Sequence, residues 1–275
     1  MNTLELVQQR VGKHIQGLHR RTHKEIVRGL LGWNTVSGTM ELLKLNFVFK
    51  LINLPPDNVI KHIFLCQIYA IVVSDTVVNR NSITFELWSI ILKHEMQTYV
   101  MGYLRGSPII SKTLWKQFTK TSIHHQEELL YRNGLQNKGA YRFLRIHNDL
   151  EPHVCYELIK SHMNIRKQML NIVKLCAFPE QSEQCLCNEC GLIYTDTVEH
   201  YIMRCQRLVD IRADTWDCIL DEVTCQTEVM ILNLSDERTL DTLLSNNNHI
   251  FIEKESHANF ICNVAKHISK LMYVI

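Results

Sequence analysis

The chain has ten cysteines in 275 residues, and four of them fall between positions 185 and 205, in the segment CLCNECGLIYTDTVEHYIMRC. Cys187 and Cys190 stand as C-x2-C, His200 follows after nine intervening residues, and Cys205 after four more. Thiolate and imidazole are the donors that a tetrahedral zinc ion takes. A C-x2-C pair can aim both sulfurs at one ion from a tight turn, and Gly191 helps the backbone fold back after it. Asp196 and Glu199 have the spacing of a helix N-cap with its reciprocal partner, so a helix should begin just before His200. Positions five apart do not share a face of an ideal α-helix. His200 and Cys205 can therefore meet one ion only if the turn loosens or the helix ends near Cys205. Buried free thiols in a helical core are the competing account, and four matched donors in so short a span weigh against it. Cys185 offers an alternative ligand. Four protein donors fill a tetrahedral shell and leave no position for water or substrate, so the expected cofactor is a structural zinc ion.

No other group of residues promises chemistry. The sequence holds no glycine-rich phosphate loop, no G-x-S-x-G, no H-E-x-x-H and no adjacent Asp-Asp pair. No catalytic residue is expected, hence no enzyme and no small-molecule substrate. His124-His125 read as solvated or packing histidines, and Glu127-Glu128 as surface residues. A basic run is of more interest: Arg10, Lys13, Arg20, Arg21, Lys24 and Arg28, with His14, His19 and His23 among them and Glu25 as the opposing acid. A cationic loop between two helices, with a helix N-terminus at Thr22, is chemically suited to phosphate, as an RNA or a single-stranded DNA would present it. Charge is also split along the chain. Residues 1–150 carry 19 Lys/Arg against 10 Asp/Glu, and residues 151–275 carry 11 against 18. A net +9 on the front and −7 on the rear suit a polyanion partner at the front or two lobes that attract each other.

The elements that must position these residues are helical by their apolar spacing. Leu4, Val7, Val11, Ile15 and Leu18 make one stripe of a first helix. Thr22 and Glu25 have the spacing of a capping box that opens a second, with Ile26, Val27, Leu30 and Leu31 as its buried side and Gly32 as its stop. Met40, Leu43, Phe47 and Leu51 mark a third, closed before Pro55-Pro56. Further helices are expected near 57–68, 83–104, 109–132, 153–175, 196–209, 213–223 and 256–272. Gly106-Ser107-Pro108 and Asn133-Gly134 are the expected stops. Residues 69–81 are ambiguous: YAIVVSDTVV is β-branched and is either a short strand or a helix end with a loop. The polar stretch at 181–184 and Asn246-Asn247-Asn248 read as loops. The fold class expected is all-α, an irregular helical bundle with a small CCHC zinc-binding element near residue 200.

Composition agrees with that class. Hydrophobic residues are 46% of the chain, enough for a core, while 5 prolines and 10 glycines are too few for a fold that turns every few residues. No apolar run reaches the roughly 18–20 residues that span a bilayer, and the N-terminus does not read as a signal peptide. Scattered cysteines with one tight cluster suit free thiols in a reducing compartment, so the expected location is intracellular, without a distinction between nucleus and cytoplasm.

Two segments together resemble a known family. Leu4-Glu5-Leu6-Val7-Gln8 leads to a turn with Gly17, Leu18, Arg20, Arg21 and Thr22, then to a Leu31-Gly32 helix end and a helix with Lys44, Leu45 and Phe47. This order resembles the segment after the polymerase palm in reverse transcriptases of non-LTR (LINE-type) retrotransposons. The cysteine cluster is similar to the C-terminal zinc motif of those proteins, with Thr197, Glu199, His200 and Cys205 following the C-x2-C pair. The resemblance touches both ends of the chain, and the middle matches only in being helical. It implies a thumb-like helical region over 1–178 and a zinc-binding element with C-terminal helices over 179–275, both holding template RNA or target DNA. The catalytic palm of that family, with its Asp-Asp motif, would lie upstream of Met1. The chain would then bind nucleic acid without synthesising DNA.

Overall fold

A computed structural model describes residues 3–73, 81–179, 184–221, 223–245, 250–251 and 253–272. It is all-α apart from one two-stranded hairpin. The helices are α1 (Thr3–Gln16), α2 (Lys24–Leu31), α3 (Val36–Ile52), α4 (Val59–Val73), α5 (Ile83–Lys93), α6 (Gln97–Leu104), α7 (Lys112–Gln136), α8 (Tyr141–Ile146), α9 (Val154–Ser161) and α10 (Arg166–Cys176). They continue with α11 (Thr197–Glu199), α12 (Val209–Leu220), α13 (Cys225–Leu232), α14 (Asp236–Leu244) and α15 (Lys254–Met272). Between α10 and α11, β1 (Cys185–Leu186) pairs antiparallel with β2 (Ile193–Tyr194), Cys185 opposite Tyr194. No helix among the described residues is long and apolar enough to cross a membrane.

The chain forms two compact units, residues 1–33 with 130–275 and residues 34–129. The expected division after residue 178 runs through the interior of the first. There α10 packs on α15, and α12 packs on α15 as well. Met169, Ile172 and Val173 share a core with Phe260, Ile261, Val264 and Ile268. A helix before the expected boundary and one after it fill each other's apolar faces, so one core spans it. His153 is sealed into the same core. Its Nδ1 accepts the Cys155 amide (3.3 Å), and its Nε2 lies 3.0 Å from the Leu244 carbonyl and so carries the proton. The second unit has its own core, in which Leu45, Val48, Phe64, Ile68, Leu87, Ile91 and Trp115 meet.

Several elements depart from expectation, each for a packing reason. The stripe on α1 faces outward: Leu4, Val7, Val11 and Ile15 are 44–56% exposed, while Gly12 and Gln16 are buried. Gln16 is satisfied there, donating to the Gly12 and Val27 carbonyls (both 3.1 Å) and accepting from the Tyr156 hydroxyl (2.9 Å). On α3, Met40, Leu43 and Phe47 are likewise exposed, and Leu45, Val48, Leu51 and Ile52 form the buried side. The capping box at Thr22 does not form; α2 starts one residue later, with His23 at the N-cap and no side-chain cap. Asn133-Gly134 is not a stop, because α7 runs through it to Gln136. A Cβ at Gly134 would come within 2.6 Å of Glu25 Cγ, so the glycine serves close helix approach rather than termination.

Glu127 is buried rather than surface-exposed; its two carboxylate oxygens accept from the amide (2.8 Å) and hydroxyl (2.7 Å) of Thr35, the N-cap of α3. The expected helix over 83–104 is broken at Glu95, a non-glycine residue with positive φ (57°), into α5 and α6. Residues 69–73 end α4 as helix, whereas 74–80, 180–183 and 246–249, which hold most of what remains of the ambiguous stretch and of the two expected loops, lie outside the described residues.

Candidate functional site

The hairpin and the segment after it bring Cys187, Cys190, His200 and Cys205 together, with all their ligand atoms within 4.8 Å of one another. Among the described residues no other group of three or more His, Cys, Asp or Glu side chains is so placed. Cys185 is not part of the group; it sits on β1 opposite Tyr194.

Each ligand is placed by identifiable backbone. After Cys187 the chain reverses: the Gly191 amide donates to the Cys187 carbonyl and the Cys187 amide to the Leu192 carbonyl, both at 2.9 Å. Gly191 takes φ 73°, which an L side chain resists, so glycine is required at this reversal. On the other side, Asp196 caps the helix as expected, its carboxylate accepting from the Val198 (2.8 Å) and Glu199 (3.1 Å) amides. Glu199 turns to Arg204 instead of back to the cap (2.7 Å).

From His200 to Arg204 the helix then widens to a π-turn. The Cys205 amide donates to the His200 carbonyl, five residues back, at 2.7 Å, and at Cys205 the chain leaves the helix (φ −61°, ψ 118°). This is the loosening that H-x4-C spacing requires: a five-residue turn sets both side chains on one side. π-turns occur chiefly as single turns at functional sites.

The group could hold a tetrahedral ion. Bonds of about 2.0–2.3 Å imply ligand-to-ligand edges of roughly 3.3–3.8 Å, and Cys190 Sγ lies 3.5 Å from His200 Nε2. The His200 ring is held by stacking on Tyr194 (centroids 4.6 Å apart, planes 14°), and the Tyr201 hydroxyl lies 3.7 Å from Cys187 Sγ. Cys187, His200 and Cys205 are buried and Cys190 is half-buried.

Electrostatics separates the thiols. Burial pushes Cys187 up, but the amides of Cys190 and Glu189, with His200 and Tyr201, outweigh it and hold the thiol well below its ordinary value. Cys205 is pushed up by burial and by the facing thiols of Cys190 and Cys187. A first thiolate thus forms readily, and a second one costs energy until a cation sits between them.

One contributor was not legible in the spacing. Arg142 on α8 is 2% exposed; it ion-pairs with Asp196 and donates to the Phe178 carbonyl (2.5 Å). It therefore braces the N-cap of the helix that carries His200. Nothing near Arg142 in sequence points to the cluster, which lies more than forty residues on. The site is also no appendage: Cys187, Val198, Ile202, Cys205 and Leu208 belong to the core of the first unit.

The basic run is only partly available. Arg10, Arg20, Arg21 and Lys24 are exposed, as are His14, His19 and His23. Lys13 is half-buried, and its ammonium donates to the Arg20 carbonyl (2.5 Å), pinning the turn to α1; burial lowers its pKa. Arg28 departs from its expected role as a phosphate contact. It is 7% exposed, and its Nε donates to the Trp33 carbonyl (3.1 Å) beyond the end of α2. Glu25, the opposing acid, is buried.

Comparison of the chain with protein-family models, with curated proteins and with solved structures found no match.

Proposed function

We propose that the chain is a non-catalytic nucleic-acid-binding part of a LINE-type reverse transcriptase, the region after the palm, with a structural zinc ion at Cys187, Cys190, His200 and Cys205. The observation that carries the binding role is the corner between α1 and α2. There Arg10, Arg20, Arg21 and Lys24 are each exposed, and the one acid within the run, Glu25, is buried and pairs with Lys24 alone of the four (3.5 Å). Such a corner favours phosphate over any neutral partner. The sequence order of that corner and the C-x2-C…His-x4-Cys element supports the family reading. Zinc is favoured over other ions because three thiolates and one imidazole are its usual structural set. The metal closes the hairpin onto the helix and so keeps the rear of the first unit in shape for the RNA or DNA strand.

The test is fluorescence anisotropy of a labelled RNA hairpin and a labelled single strand over a series of salt concentrations. Binding should weaken steeply with salt. Arg20→Ala/Arg21→Ala should weaken it across all sequences and reduce the salt slope by about 1 for each phosphate no longer neutralised. Unchanged affinity in the double variant, or no binding at low salt, overturns the assignment.

A second reading has its own observation. The hairpin exposes Leu186, Leu192 and Ile193 beside Glu189, while Arg204 is engaged by Glu199 and by Asp236 (3.0 Å). An apolar tip of this kind suits a protein partner, with the metal as a staple. Salt-insensitive protein association with no affinity for nucleic acid would move the conclusion to this reading.

A further inference from the structure

The outer face of α4 is largely apolar and is left exposed among the described residues. Its sequence, VIKHIFLCQIYAIVV, holds one lysine and one histidine, and it buries only Lys61, Phe64 and Ile68. The lysine is turned inward: its ammonium donates to the Leu54 carbonyl (2.9 Å) and lies 5.4 Å from the Tyr103 ring centre. Outward stand Val59, Ile60, Ile63, Tyr69 and Val73, each 52–68% exposed, with exposed His62, Cys66, Gln67 and Ala70 among them. At 100° per residue these nine cover about half the circumference of the helix. A helix apolar all round is ordinarily covered all round. With roughly 150–200 Å² as the full surface of each large side chain, the uncovered area is on the order of 600 Å², at the top of what monomers expose.

We propose that this face is an interface between two copies of the chain, paired α4 against α4. Charge and area together select that occupant. The face carries no net charge, so neither a polyanion nor a charged protein patch is matched to it, whereas pairing with its own copy sets no like charges together. Two such faces would bury on the order of 1,200 Å² in total, at the low end of specific interfaces. Cys66 is the middle residue of Val59–Val73. In an antiparallel pair centred on a two-fold axis it faces the same residue of the partner. The proposal does not depend on nucleic-acid binding or on the metal.

The experiment is sedimentation velocity of the full chain under reducing conditions, from about 1 to about 100 µM, an affinity range suited to so small an interface. The expected result is a monomer–dimer equilibrium, shifted to monomer at every concentration by Ile60→Glu/Ile63→Glu. Both residues are exposed, so helix content and melting temperature should be retained in that variant. A short bis-maleimide should join two wild-type or Cys225→Ser chains, forming a thioether at each thiol, and should fail with Cys66→Ser; this holds even if the double variant melts early. A monomer throughout, a dimer that survives both glutamates, or cross-linking that persists in Cys66→Ser overturns the proposal. So does a monomer that binds neutral phosphatidylcholine vesicles through the same residues, which would assign the face to a lipid surface.

Discussion

Replacing Cys190 by serine removes one of four donors whose atoms lie within 4.8 Å of one another, and the size of the loss follows from linkage. A metal that binds only the folded chain stabilises it by RT ln(1 + [M]/Kd), about 4 kcal/mol when the free ion is a thousandfold above Kd. For a unit of some 150–250 residues, 1 kcal/mol moves the melting temperature by about 2–4 °C. Zinc held at that free concentration should therefore raise the melting temperature of the first unit by roughly 8–16 °C over the chelated protein. The whole unit should respond, because Cys187, Val198, Ile202 and Cys205 are in its core. In Cys190→Ser most of this rise should vanish, since metal binding and local folding are one event. Cys218 on α12 is outside the cluster, so Cys218→Ser should keep the full zinc response. Melting by circular dichroism in zinc buffers and in chelator, with cobalt substitution to read tetrahedral thiolate ligation, decides it. Equal zinc retention and equal shifts in the two variants would show that the wrong cysteines carry the ion.

Arg142→Leu should destabilise the first unit by about 3 kcal/mol, because it strips the buried partner from Asp196 and from the Phe178 carbonyl; a chemical-denaturation midpoint unchanged from wild type would refute the bracing role. The same variant should weaken zinc retention in a competition titration with a chelator, since Asp196 caps the helix that presents His200. His153 should make the unit acid-sensitive. Burial holds its folded-state pKa down at about 3, against 6.5 for the exposed ring, and His147 adds to this. As pH falls below 6.5 the unfolded chain takes up the proton first, so stability is fully present above 6.5 and is lost at roughly 1.4 kcal/mol per pH unit on the way to 3. Urea midpoints measured from pH 7 to pH 5 should show that slope in the wild type and a flatter one in His153→Gln; parallel profiles would exclude His153 as the cause.

The sequence alone determined the class of fold and the group of four donors that could hold a metal ion. Helix follows from apolar spacing that local chain geometry imposes. The cluster follows from donor chemistry and short separations, since C-x2-C and H-x4-C each fix two ligands within a turn or two of backbone. Even the widened turn was implied by the count of five from His200 to Cys205, and the structure supplies it with one hydrogen bond.

What periodicity could not say is which side of a helix meets the core. On α1 the apolar stripe lies outside, and the polar side goes in because Gln16 finds two carbonyls and a tyrosine hydroxyl there. Glu127 was equally opaque: a charged residue is exposed or buried according to partners that folding brings from elsewhere in the chain, here Thr35. The division into units, with residues 1–33 joined to 130–275, belongs to the same category. Local spacing is written in neighbouring residues, but burial is decided by surfaces that meet only after distant segments have packed, and no window of sequence contains both sides of that contact.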